Sequence, residues 1–138
     1  MTIRQALRGD AAALVPLLAQ LGYAVSESDL WLRLSQMRDA ATLVAVDGER
    51  IVGVASVAVR ETLTGGAQPS IEGFVVEESA RSRGVGAELL AAVEAWARRR
   101  GFGSIRVQSN AVRERAHAFY LREGYAILKQ SVAFEKPL

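Results

Sequence analysis

The sequence contains no cysteine and only one histidine among its 138 residues. The absence of cysteine excludes disulfide scaffolds, thiolate zinc sites and thiol nucleophiles. No apolar run approaches the roughly 20 residues that span a bilayer. Residues 1–8 also lack an apolar stretch of signal-peptide length. We therefore expect a cytoplasmic protein that is not embedded in a membrane.

Lysine is also scarce, with two lysines beside fifteen arginines among the 17 basic residues. The net charge is only +2, and no stripe combines aromatic and basic residues, so nucleic-acid binding is disfavoured. Half of the residues are hydrophobic and 23% are charged, which is typical of a globular protein. The length predicts a single domain over residues 1–138.

Short β-branched and aromatic runs alternate with helical patterns, which predicts a mixed α/β fold. Asp10 is placed to cap the first helix, and Pro16 should bend that helix or delay its start. Asp47-Gly48 indicates a hairpin turn. The predicted strands are 3–6, 42–46, 51–59, 70–76, 105–109, 125–130 and 132–136, and the predicted helices are 10–21, 26–37, 87–100 and 111–123.

The segment with the clearest chemistry follows the strand 70–76. A loop with Arg81, Arg83, Gly84 and Gly86 leads directly into a helix. Glycines allow backbone amides to approach a ligand, and the start of a helix offers unpaired N–H groups to an anion. The pattern predicts a diphosphate cradle, although a tight turn with ordinary capping is the alternative. It is neither a P-loop nor a dinucleotide fingerprint, since both need other residues at other spacings.

The order of motifs resembles the GCN5-related N-acetyltransferase (GNAT) family. Arg81-Ser-Arg-Gly-Val-Gly86 resembles its pyrophosphate motif, Gln/Arg-x-x-Gly-x-Gly/Ala, and Asn110 with Arg115-Ala-His-Ala-Phe-Tyr-Leu-Arg-Glu-Gly-Tyr125 resembles its second cofactor motif. The resemblance covers the whole chain and is most specific over residues 70–125. The chain departs from the family at Glu78, where proline is common, and at Ser82, where glycine is common.

The resemblance implies a splayed, mixed, mostly antiparallel sheet of about six to seven strands with helices on both faces. It implies acetyl-CoA as co-substrate and no metal. The backbone of Phe74, Val75 and Val76 would pair with the pantetheine arm, and Asn110 would contact the arm from the other side. The pyrophosphate would be held by the loop residues Arg81, Ser82, Arg83, Gly84, Val85 and Gly86.

Two side chains are candidates for proton transfer. The resemblance places Tyr120 as the acid that protonates the departing thiolate, and a packed aromatic beside Phe119 is the alternative. Glu72 lies on the strand 70–76 and is the candidate base for the amine proton. An exposed strand-end residue or a partner for an arginine is the alternative for Glu72. Strand alternation puts residues 72, 74 and 76 on one face and residues 71, 73 and 75 on the other.

Three further features have simpler explanations. His117, the only histidine, is expected on the solvated side of its helix. Arg98, Arg99 and Arg100 end a helix, where cations complement the helix dipole. Tyr23 and Trp31 flank the link between the first two helices, where the family shapes its acceptor site, although both aromatics are equally compatible with the core.

The sequence thus indicates an N-acetyltransferase that moves the acetyl group of acetyl-CoA by direct transfer to a primary amine of a small molecule or peptide. A non-catalytic acyl-CoA-binding regulatory module is the alternative. A homodimer is compatible with either function. The identity of the amine is not encoded in any motif.

Overall fold

The structure is a computed structural model that describes residues 1–109 and 113–138. The chain divides into two compact units, Met1–Gln108 and Ser109–Leu138. The prediction for Asn110 falls outside the described residues, and the single domain stays a prediction. Within the described ranges, no helix combines the length and the apolar character that crossing a membrane requires.

The first unit contains a five-stranded sheet in the order β1-β2-β3-β4-β5. The strands are β1 (Thr2–Gln5), β2 (Ala40–Asp47), β3 (Arg50–Thr62), β4 (Gly66–Val76) and β5 (Arg106–Val107). Neighbouring strands are antiparallel from β1 to β4, whereas β4 and β5 are parallel. This confirms the mixed, mostly antiparallel sheet, and the strand count is lower than the predicted six to seven.

One face of the sheet is covered by α1 (Ala11–Gln20) and α2 (Glu27–Gln36). The sequence Ser26-Glu27-Ser28-Asp29 resembles a capping box, and the start of α2 is capped accordingly, because the Ser26 hydroxyl accepts the Asp29 N–H at 3.1 Å. The two helices bury leucines against the valines of three strands, which excludes water from this face. The core cluster consists of Leu14, Leu17, Leu30, Val44, Val54 and Val75.

The opposite face is covered by α3 (Val85–Arg99), so helices lie on both faces as predicted. Gly53 on β3 permits the close approach of this helix. A Cβ atom at Gly53 would lie 2.8 Å from Leu89 Cδ1 and 3.3 Å from Val85 Cγ1. Gly53 pairs with Val76 at the end of β4, and the contact therefore places the start of α3 next to the end of that strand.

The side-chain cap predicted for Asp10 is wrong, and of the two effects predicted for Pro16 the delayed start is wrong while the bend stays a prediction. Asp10 makes no side-chain hydrogen bond to the start of α1, because its carboxylate instead accepts the Leu7 N–H and both terminal nitrogens of Arg4 at 2.7–3.0 Å. Pro16 lies inside α1 without delaying its start at Ala11.

The second unit contains α4 (Glu114–Arg122). The strands predicted at residues 125–130 and 132–136 are not formed in the described part of the chain. Their apolar side chains are exposed, among them Ile127, Leu128, Val132 and Phe134. Alternation alone does not make a strand, because each strand also needs a neighbour that satisfies its backbone groups.

Candidate active site

The loop predicted to be a diphosphate cradle lies where β4 passes into α3. The Glu77 N–H donates to the Val52 carbonyl at 2.8 Å, which holds the chain beside β3 as β4 ends. Ser82 and Gly84 both adopt positive φ angles, 68° and 80°. This backbone turns sharply into α3, whose first N–H groups have no acceptor within the helix. The positive φ of Ser82 also explains why glycine is common at this position in the family.

The two arginines of the cradle have protein partners. Arg81 Nε donates to the Val76 carbonyl at 3.2 Å, so its guanidinium links the loop to the end of β4. Arg83 Nη2 lies 3.2 Å from Oδ2 of Asp47 at the end of β2. Both side chains of this second pair are largely exposed, and exposed ion pairs are weak enough to be exchanged for a phosphate.

The end of β4 provides an edge beside this loop. The ladder between β4 and β5 consists of the pairs Ser70–Arg106 and Ile71–Val107. Among the described residues the pairs with β5 end at Ile71, while β4 itself runs to Val76 through the predicted pantetheine-binding residues Phe74, Val75 and Val76. Where a strand extends beyond the neighbouring strand, an extended ligand can pair with its backbone and so add to the sheet like a further strand. The structure thus brings these residues and the loop 81–86 together.

Glu72 lies in a β-bulge of β4. Val75 pairs with Val54 and Gly73 with Ser56, but Val57 pairs with Ile71, so Glu72 is the extra residue. Paired residues share a face, and Gly73 and Ile71 therefore lie on opposite faces. The alternation predicted from the sequence is wrong at this point, because the bulge shifts it by one residue.

The carboxylate of Glu72 is ion-paired. Its Oε1 lies 3.0 Å from Arg60 Nε, and the Glu72 side chain is 35% exposed. Ser56 and Arg60 are four residues apart on β3 and so share the face that carries α1 and α2. The structure therefore contains the alternative predicted for Glu72, in which this residue is the partner of an arginine. Arg60 was not predicted from the sequence, because the residue of β4 that lies next to Arg60 depends on the position of the bulge.

Tyr120 lies on α4 in the second unit. The centroid of its ring lies 5.3 Å from that of Phe119 and 5.9 Å from that of Tyr125. The contact with Phe119 is the one that the sequence predicted. Burial raises the pKa of Tyr120 to about 12, an effect that the positive charge of Arg113 partly offsets. The phenol is therefore protonated at neutral pH, which an acid requires.

Two cavities open beside α2 on the face of the sheet that carries Thr42. The first, of about 200 Å³, is lined by Gln5, Ala6, Trp31, Leu34, Met37, Ala40, Ala41 and Thr42. The second, of about 480 Å³, is lined by Arg8, Ala11, Glu27, Ser28 and Trp31. Trp31 lines both, whereas Tyr23 lines neither and is 63% exposed.

The remaining candidates lie on α4 and near the end of α3. His117 is half-buried on α4, where the sequence predicted a solvated side chain. Arg98 and Arg100 contact Glu94 and Asp39 near the end of α3. Among the described residues, no group of three histidine, aspartate or glutamate side chains could hold a metal ion.

Comparison with known proteins independently supports the resemblance to the GNAT family. The family model described as "Acetyltransferase (GNAT) family" matches residues 12–125. A curated relative from Stenotrophomonas maltophilia, described as "Aminoglycoside N(6')-acetyltransferase type 1", is 36% identical over 146 aligned positions, which cover 99% of this chain and 94% of the relative.

Solved structures show the same fold. An aminoglycoside antibiotic 6'-N-acetyltransferase from Acinetobacter haemolyticus superposes with a TM-score of 0.86 at 21% identity, covering 100% of this chain and 99% of that one. A protein from Bacillus halodurans described as a transcriptional regulator superposes with a TM-score of 0.84 at 26% identity, covering 98% and 99% of the two chains. The fold is thus shared by proteins with different descriptions, and function has to be argued from the site.

Proposed function

Because this chain belongs to the GNAT acetyltransferase family, we propose that it transfers the acetyl group of acetyl-CoA directly to a primary amine of a small molecule or peptide. Membership makes it an N-acetyltransferase that uses acetyl-CoA. The direct transfer, the acceptor and the residue roles are the proposal. The relatives' names make aminoglycosides the first acceptors to test, and a peptide amine remains within the proposal.

One observation carries the cofactor assignment. β4 ends, the chain turns through the left-handed Ser82 and Gly84, and α3 begins within a single short segment. This geometry presents helix N–H groups and the arginines of the loop to a diphosphate, while the edge of β4 accepts an extended arm. Residues 74–76 and 81–86 therefore fit acetyl-CoA.

Glu72 is proposed to accept the amine proton, directly or through water. The amine nitrogen then forms a bond to the acetyl carbonyl carbon and the carbon–sulfur bond breaks. The ion pair with Arg60 supports this role, since it fixes the carboxylate at the bulge next to the edge of β4. A carboxylate held in place beside the reacting amine can take the proton that an ammonium group must lose before it attacks.

Tyr120 is proposed to donate a proton to the departing thiolate. Support comes from its match to the family motif and from the buried, protonated state of its phenol. Asn110, which lies outside the described residues, is proposed to contact the pantetheine arm. A homodimer and a cytoplasmic location stay predictions.

The test is thiol release from acetyl-CoA in the presence of a panel of primary amines, combined with calorimetry of acetyl-CoA binding. The proposal expects binding and amine-dependent release of CoA thiol. Binding without release for any amine, in a folded protein, would favour the non-catalytic acyl-CoA module instead.

A further inference from the structure

Thr42 and Ser56 pair across β2 and β3 on the side of the sheet that carries α1 and α2. The Thr42 hydroxyl donates a hydrogen bond to the Ser56 hydroxyl at 3.3 Å. Two residues along the same strands, the neighbouring pair on this face is Val44 and Val54, which belongs to the hydrophobic core cluster. Two hydroxyls therefore interrupt an apolar face, and such a departure from the apolar pattern is typical of a functional site.

Ser56 lies next to the bulge that carries the candidate base. It pairs with Gly73, the residue after Glu72, and neighbouring strands are about 4.8 Å apart. Ser56 and Arg60 share a face of β3, and Arg60 Nε lies 3.0 Å from the Glu72 carboxylate. The hydroxyl and the carboxylate thus belong to the same face of the sheet on two adjacent strands.

This part of the face is accessible to a small group. Ser56 and Gly73 are both half-buried, whereas Val54 and Val75, the neighbouring pair under α1, are buried at 5% and 3% exposure. A Cβ atom at Gly73 would lie 3.9 Å from the Ser56 Cβ, so a side chain there would point into the space beside Ser56. Because Gly73 has only a hydrogen atom in that direction, the space is open to a ligand.

The hydroxyl of Ser56 has hydrogen-bonding capacity for an amine. A hydroxyl oxygen accepts two hydrogen bonds and donates one, and the bond from Thr42 uses one of the two acceptor positions. An ammonium group has three N–H donors, so one can reach the Ser56 oxygen while another reaches Glu72. Two contacts fix the orientation of a nitrogen better than one, and orientation of the nucleophile accelerates attack.

We infer that the Ser56 hydroxyl binds and orients the amine nitrogen of the acceptor beside Glu72. Thr42 is a positioning residue that acts through Ser56, and Gly73 leaves room for the carbon atom that carries the amine. This inference rests on the proposed acetyl transfer and adds a substrate-binding group to that reaction.

The experiment measures thiol release at saturating acetyl-CoA with three primary amines, methylamine, benzylamine and kanamycin. Ser56→Ala should lower kcat/KM for each amine by about tenfold, as expected for the loss of one hydrogen bond to a charged group, with KM for acetyl-CoA unchanged. The loss should be equal for the three acceptors, since the amine is the group that they share. Ser56→Thr keeps a hydroxyl and should restore most of the rate.

Thr42 and Gly73 test the same contact without a change at Ser56. Thr42→Val keeps the shape of the side chain but cannot donate to Ser56, so kcat/KM should fall a few-fold for every amine, whereas Thr42→Ser should keep the wild-type value. Gly73→Ala fits at an ordinary contact distance, so the melting temperature should be retained. The added methyl group should raise KM more for kanamycin than for methylamine, because it fills the space beside Ser56.

Ser104→Ala is the matched control. The Ser104 hydroxyl accepts a hydrogen bond of similar length, 3.2 Å from Gln68 Nε2, and its loss should leave every kinetic constant unchanged. The inference is overturned if Ser56→Ala and Thr42→Val both match this control, or if Ser56→Ala lowers the rate with only one of the three amines. Absence of thiol release with every amine, despite acetyl-CoA binding, would instead overturn the proposed function and this inference with it.

Discussion

Arg60 Nε and Glu72 Oε1 lie 3.0 Å apart at the point where β4 bulges. The pair joins two neighbouring strands and directs the carboxylate of Glu72 toward the face of the sheet that carries α1 and α2. Both side chains keep contact with solvent, at 55% and 35% exposure. Because an exposed pair of this kind contributes at most about 1 kcal/mol to stability, its main consequence is orientation.

The first prediction follows from this orientation. Glu72→Gln keeps the size of the side chain but removes the proton acceptor, so turnover should fall mainly at low pH, where the amine is protonated, with acetyl-CoA affinity unchanged. Glu61→Gln is the control, since Glu61 is an exposed carboxylate next to Arg60. Undiminished turnover of Glu72→Gln across the pH range would leave Glu72 with its structural ion pair only.

The second prediction separates backbone strain from ligand binding. Gly84 and Gly101 have similar φ angles, 80° and 86°, and a Cβ atom would meet nothing within 4 Å at either position. Alanine should therefore cost about 1–2 kcal/mol of stability at both. Only Gly84 precedes the N-terminus of α3 in the cradle, and only Gly84→Ala should weaken acetyl-CoA binding, by about tenfold in calorimetry. Equal affinities in the two folded variants would contradict the cradle assignment.

The third prediction concerns acid stability. The hydrogen bonds from Arg4 hold the pKa of Asp10 below its usual range. A carboxyl with a lowered folded pKa contributes stability above its unfolded pKa of about 3.9 and loses that contribution as the pH falls further. Asp10→Asn should therefore melt below the wild type at pH 7, and the difference should shrink below about pH 4. A constant difference at all pH values would contradict this prediction, because the bonds from Arg4 and from the Leu7 N–H both favour the ionised carboxylate.

Regular patterns were predictable from the sequence because they depend on neighbours along the chain. The hairpin around Gly48, the cap at Ser26 and the loop with Gly84 each follow from local backbone preferences. The structure extends the hairpin strands by a few residues, since pairing continues as long as both strands have a partner.

The bulge at Glu72 could not be predicted in this way. Its position depends on the register between β3 and β4, which Val54 and Val75 set by packing against α1. A shift of one residue turns side chains to the other face, and the partner of Glu72 changes with it. The contact of Arg8 with Trp31 likewise joins residues that no spacing rule connects.

The fourth prediction concerns alkaline stability. Burial raises the pKa of Tyr120 to about 12, above its unfolded value of about 10. A group with a raised folded pKa contributes fully below the unfolded pKa and loses stability as the pH rises toward the folded pKa. The wild type should therefore lose up to about 3 kcal/mol relative to Tyr120→Phe between pH 10 and 12. Urea unfolding at both ends of this range measures the difference.

The last prediction concerns the catalytic role of Tyr120. Tyr120→Phe keeps the ring that packs against Phe119 and Tyr125 and removes only the hydroxyl, so the fold should be retained. A thiolate with a pKa near 8.5 leaves slowly without a proton donor, and an acid contributes typically about 10²–10⁴-fold. The turnover number should therefore fall by at least about tenfold with acetyl-CoA affinity preserved.

A purely structural role for Tyr120 predicts the opposite effect of Tyr120→Phe on turnover. Tyr120→Phe would then turn over at the wild-type rate, while Tyr120→Ala would lose the ring and destabilise the protein by about 3–5 kcal/mol. Thiol release and thermal melting of both variants distinguish the two roles. Since the phenol is protonated well above neutral pH, the wild-type rate should also show no loss of this proton donor between pH 7 and 9. A wild-type rate in Tyr120→Phe would exclude the acid role, because no other change in that variant could supply the missing proton.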